Sequence, residues 1–99
     1  MQVINYYNWT LVKVTREEAW KNFNRGSQVV MCACNVPPFS DQAPTTFINK
    51  RALKNMVHYG KGDKAAFLDF CKKITACHCN RENGTHLKFF VRSNVTILK

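Results

Sequence analysis

Acidic side chains are what this 99-residue chain has least of. It carries six Asp and Glu against fifteen Lys and Arg, a formal net charge of +9. So few carboxylates leave little material for paired acid–base catalysis or for an oxygen-rich Mg²⁺ site, particularly as Glu17, Glu18 and Asp63 sit where helix caps are expected. No apolar run reaches the 18 residues a membrane span requires. The opening "MQVINYYNWT" has neither the basic nor the apolar region of a signal peptide, so a cytoplasmic protein is expected. G-x-S-x-G, HExxH, Walker and GxGxxG patterns are all missing, which removes the usual signatures of hydrolases, zinc proteases and nucleotide-binding enzymes. No enzyme activity and no cofactor is expected.

What is present is globular: 45% apolar and 12% aromatic residues, in a length suited to one domain with one small core. The charge is uneven. Residues 1–49 hold four basic and three acidic side chains, whereas residues 50–99 hold eleven basic and three acidic, +1 against +8. A field of that kind draws anionic partners and accelerates their association.

Local signals give an order of elements. "NWTLVKV" alternates as a strand over 8–14. Thr15 followed by Glu18 is a capping box, Ala19, Trp20 and Phe23 make one apolar face, and Gly26 suits a left-handed stop, so a helix is predicted over 16–25. "SQVVMCACNV" reads as a buried strand over 28–36, stopped by Pro37 and Pro38. "PPFSDQAPTT" is a polar loop. "TFINKRALKNMVHY" has helical spacing of Phe47, Ile48, Leu53, Met56 and Val57. A second helix follows from Asp63, with Ala66, Phe67, Phe70, Cys71 and Ile74 on one stripe. Asn83–Gly84 is a hairpin turn between "ITACHCN" and "THLKFFVR". Val95 to Leu98 is a candidate edge strand through which a homodimer could form. The expected fold is a small two-layer α+β domain over 1–99, a mostly antiparallel sheet with two or three helices on one face, in the order β-α-β-α-α-β-β.

Five cysteines include two Cys-x-Cys pairs, Cys32 with Cys34 and Cys77 with Cys79. On an extended strand such a pair holds its sulfurs roughly 7 Å apart, too far to share one zinc. Buried structural thiols are the favoured reading over a metal site, and no metal is expected unless a strand bends. A Cys/His enzyme is the weakest alternative, since five Cys and three His make chance pairs common.

The cations carry the functional reading. In "HLKFFVR", His86, Lys88, Phe90 and Arg92 share one strand face, while Leu87, Phe89 and Val91 share the core face. Cations around an exposed ring are what single-stranded nucleic-acid binders use, although a solvated strand face whose Phe is covered by the chain terminus is the favoured reading of this stretch. Lys50, Arg51 and Lys54 lie on one predicted helix, Lys72 and Lys73 end the next, and Arg81 sits in the hairpin turn. These ten residues form the expected partner-binding set, with Lys88 and Arg92 at its centre.

"VTREEAWKNFNRGSQVVMCACNVPP", "INKRAL" and "FCKKITACHCNRENGTHLKFFV" together resemble a group of small uncharacterised proteins encoded by phages and mobile elements of Gram-positive bacteria. The chain departs from that group at Thr75 and Ala76, where aromatics are expected, and in its high positive charge. The resemblance implies a small accessory protein of viral origin, acting in the cytoplasm of an infected bacterial host. Such a protein binds and blocks a host defence factor, as anti-CRISPR inhibitors do. The expected partner is an acidic host protein or protein–nucleic-acid complex, with direct binding of nucleic acid or a nucleotide as the alternative.

Overall fold

The computed structural model describes residues 3–6, 8–32, 45–73 and 88–99. Within them the elements run β1 (Val3–Tyr6), β2 (Trp9–Val14), α1 (Arg16–Arg25), β3 (Val29–Cys32), β4 (Thr45–Ile48), α2 (Lys50–Lys54), α3 (Lys64–Lys73) and β5 (Lys88–Arg92). The strands form one sheet in the order β1-β2-β5-β3-β4, antiparallel at every step. The α+β class is therefore as expected. The order differs in two places: an N-terminal strand precedes Trp9, and β4 occupies the start of the segment expected to be helical.

Both differences have a pairing cause. Val3, Ile4, Asn5 and Tyr6 lie opposite Val12, Leu11, Thr10 and Trp9, so the N-terminus gains its structure from β2 rather than from any pattern of its own. Thr45, Thr46, Phe47 and Ile48 are β-branched or aromatic, and β3 offers them a ladder from Val29 to Cys32. Helix starts only after Asn49, whose side chain accepts from the Ala52 N–H at 2.8 Å. It stops at Asn55 rather than continuing to Tyr59.

α1 matches its sequence signals. The Thr15 hydroxyl accepts from the Glu18 N–H at 3.1 Å, and the Glu18 carboxylate accepts from the Thr15 N–H at 2.8 Å. That backbone hydrogen bond is the main reason the Glu18 carboxyl is held below its usual range. Gly26 ends the helix at φ 108°, a conformation that disfavours any side chain. Asp63 caps α3 through the Ala66 N–H at 2.9 Å.

All three helices cover one face of the sheet. Ala19 and Phe23 of α1, Leu53 of α2, and Phe67, Phe70 and Cys71 of α3 pack with Val14, Val29, Met31, Ile48, Phe89 and Val91. The centre is aromatic, with Phe23 and Phe67 rings 4.5 Å apart and Trp20 about equally distant from both, at 5.9 and 5.8 Å. The other face holds a second cluster: Leu11, Val30, Cys32 and Phe90 fully buried, with Ile4, Trp9 and Phe47 packed against them. β2 and β4 are three strand spacings apart, about 14 Å on a flat sheet. Even so, the Trp9 and Phe47 ring centroids lie 5.2 Å apart, edge to face. The two rings reach across β5 and β3 and roof the residues beneath.

The chain end is no strand. Ser93 to Lys99 leaves the sheet and runs past α1, where the buried Asn22 holds it. The Asn22 amide donates to Glu18 O (2.7 Å) and Leu98 O (2.9 Å), and its oxygen accepts from the Leu98 N–H (2.9 Å) and an Arg25 guanidinium nitrogen (3.1 Å). All four hydrogen-bonding positions of the amide are used. The expected edge strand at 95–98 is thus replaced by a side chain that supplies the donor and acceptor a neighbouring strand would. Replacing Asn22 by Ala strands the Leu98 backbone groups beside the core. Urea denaturation should show a loss of about 1–3 kcal/mol.

Candidate anion-binding surface

The structure separates the cations that the sequence suggested as one set. Lys88 and Arg92 lie on the face of β5 opposite the helices, while Lys50, Arg51, Lys54, Lys72 and Lys73 belong to α2 and α3 on the helical side. Arg81 and His86 lie outside the described residues, as do the first arm of the hairpin, Cys34, Cys77 and Cys79.

Phe90 corrects the expectation most directly. It is 0% exposed, packed with Leu11, Val30 and Cys32, and presents no ring for stacking. β5 lies between β2 and β3, and its three central side chains are buried in a cluster on each face, Phe89 and Val91 on the helical one and Phe90 on the other. Arg92, at its end, is half-buried, with its guanidinium 4.5 Å from the centroid of the Trp9 ring. That cation–π contact gives Arg92 a structural task on the sheet face.

The helical cations differ among themselves. Lys73 is paired with Asp69 at 3.0 Å, one turn away, and Lys64 with Glu17 at 2.8 Å. The Lys73 hydrogen bond is the main reason the Asp69 carboxyl is held below its usual range, and the same contact raises Lys73. Asp69 also accepts from the Tyr59 hydroxyl at 3.1 Å. Burial, and after it this bond, pushes the Tyr59 phenol up. Both ion pairs are exposed enough to contribute little to stability.

Around α2 the picture changes. Arg51 and Lys54 are three residues apart and Lys50 and Lys54 four, so the three share one side of a short helix. The Lys54 stem crosses Gly62, which adopts φ 60°. A Cβ there would stand 2.5 Å from Lys54 Cγ and 3.5 Å from Lys50 Cε. The glycine thereby lets the 59–62 turn close against α2 and brings Lys61 to the same place. Lys50 donates to the Asn24 side chain at 2.7 Å, tying the lobe to α1. Among the described residues, Arg51, Lys54 and Lys61 have no hydrogen-bond or ion-pair partner, and all three are exposed. Sequence reasoning identified Lys50, Arg51 and Lys54 but passed over Lys61, whose neighbours only the Gly62 turn supplies.

Beside this lobe lies a groove of about 580 Å³, lined by residues between Val57 and Asp69. A smaller one of about 210 Å³ lies between the α1 C-cap and Arg92. Among the described residues no group of three or more His, Cys, Asp or Glu is placed to hold a metal ion, and no helix is long and apolar enough to cross a membrane. No family model, no curated protein and no solved structure matches the chain.

Burial pushes the Cys71 thiol up to about 12. With an unfolded thiol near about 8.5, the folded chain retains a proton that the unfolded chain gives up above that pH. The stabilisation is complete below about pH 8.5 and is lost as pH rises toward 12. Mass-mapped alkylation at pH 8 should leave Cys71 unmodified in the native protein and modify it in urea, and Cys71→Ala should flatten part of the alkaline fall in stability. Separately, Arg92→Ala should cost about 0.5–1 kcal/mol in denaturation through loss of the Trp9 contact, while leaving polyanion binding within twofold of the parent.

Proposed function

We propose that this protein is a non-enzymatic binding protein that engages an anionic partner through the cationic lobe of Lys50, Arg51, Lys54 and Lys61. The supporting observation is the absence of described partners for Arg51, Lys54 and Lys61, close together on an exposed lobe. Like charges at i,i+3 and i,i+4 destabilise a helix by a few tenths of a kcal/mol per pair, about 0.2–0.5. A five-residue helix has no stability of its own to absorb that cost. Stability alone gives no reason for this arrangement, and binding of a negative surface does.

The resemblance to phage and mobile-element proteins gives this reading its finer form: a counter-defence inhibitor, anti-CRISPR-like, that blocks a host factor by covering an acidic surface. Inhibition of that kind requires a rigid scaffold and complementary charge rather than a reactive group. Direct binding of single-stranded nucleic acid is the second reading. It draws support from the opposite sheet face, where the Arg92 guanidinium lies over a partly exposed Trp9.

Charge reversal separates a located site from the general attraction of a +9 chain. The triple variant R51E/K54E/K61E should weaken binding to heparin and to host-lysate partners at least tenfold. The control K13E/K21E/K99E changes net charge equally, at exposed positions elsewhere, and should weaken it far less. Equal losses would mean that the lobe is no site. Binding to oligonucleotides that falls steeply with salt and ignores the lobe variant would favour the second reading.

A further inference from the structure

We infer that the anionic partner is an acidic protein segment carrying an apolar side chain, and that the groove beside the lobe receives that side chain. The inference rests on the reading of Lys50, Arg51, Lys54 and Lys61 as the binding surface and specifies its partner.

Three observations point the same way. Between Lys54 and Lys61 the chain presents Met56 at 38% and Val57 at 92% exposure, an aliphatic tip set among cations. From Val57 the groove runs along α3, with Tyr59, Ala65 and Ala66 supplying apolar wall and Lys61 one rim. Its volume, about 580 Å³, lies within the range of sites that enclose a small ligand or a few side chains.

The groove's polar groups choose the class of partner. Asp63 and Asp69 line it. One oxygen of Asp63 is used on the Ala66 N–H, and Asp69 is held by Tyr59 and Lys73. A nucleic-acid backbone carries charge at every residue, so a strand laid along the lobe and into the groove would set phosphates against these carboxylates. An acidic protein segment is free of that conflict. It can place Asp or Glu on Arg51, Lys54 and Lys61 and a neutral Leu or Phe against Val57, Ala65 and Ala66. Charge then sets the encounter and orientation, and apolar burial adds affinity.

Fluorescence anisotropy with short synthetic peptides tests this on the full chain. One peptide is Glu-rich with a central Leu, a second has Ser in its place, and oligothymidylate is the third probe. The Leu peptide should bind about tenfold more tightly than the Ser peptide. Val57→Ser and Ala65→Trp, both at exposed positions, should abolish that preference, the first by removing the tip and the second by filling the groove. Amide shifts in the NMR spectrum should then concentrate at 56–66. Equal affinity for the two peptides, or a preference that survives Ala65→Trp, overturns the groove assignment while leaving the cationic lobe in place. Tighter binding of oligothymidylate than of either peptide makes the partner nucleic acid. If R51E/K54E/K61E leaves every probe unaffected, it is the lobe itself that fails.

Discussion

The structure depends on one strand being apolar on both sides. β5 has β2 along one edge and β3 along the other, and it sends Phe89 and Val91 to the helices and Phe90 to the opposite face. A strand so enclosed cannot present a working surface at its centre. Its polar residues are pushed to its ends, Lys88 and Arg92, and Arg92 is drawn onto Trp9. Two small cores result, one capped by helices and one roofed by the Trp9 and Phe47 rings. In a chain of 99 residues, double-sided burial of a central strand raises the apolar area removed from water without lengthening the chain.

Since the sheet is committed to packing, the periphery is where charge can be displayed. α2 is anchored by Leu53 alone among its residues in the core, and its remaining positions are half-buried or exposed. Gly62 allows the following turn to fold over the Lys54 stem, so that Lys61 joins Lys50, Arg51 and Lys54. Three cations elsewhere have structural work: Lys64 bridges α3 to α1, Lys73 neutralises Asp69, and Arg25 completes the shell of Asn22. Arg51, Lys54 and Lys61, by contrast, have no such partner among the described residues.

Local signals in the chain specify structure where the interaction itself is local. Thr15, Glu18 and Gly26 bracket α1 because a cap bonds backbone within three or four residues, and Asp63 opens α3 for the same reason. The alternation of Trp9 to Val14 marks a strand that is in fact half-buried. The local pattern misleads where the partner is distant in sequence. Phe47 and Ile48 fit a helical period with Leu53 and Met56, yet pairing with Val30 and Val29 makes them strand. Val95 to Leu98 looks like a strand, yet the Asn22 amide, 76 residues before Leu98, meets its backbone instead.

The candidate surface divides in the same way. Composition by itself determined that this is a basic, aromatic-rich chain with little acid–base material, and that the cations concentrate in its second half. Spacing alone placed Lys50, Arg51 and Lys54 on a common helix face. Only the tertiary structure decided that Phe90 is core and Arg92 a stacking partner, and that Lys61 belongs with α2. The physical reason is that a strand's two faces look alike in sequence until its neighbours on both edges are known. Whether a cation is spent internally depends on which carboxylate or ring the fold brings within a few ångströms of it.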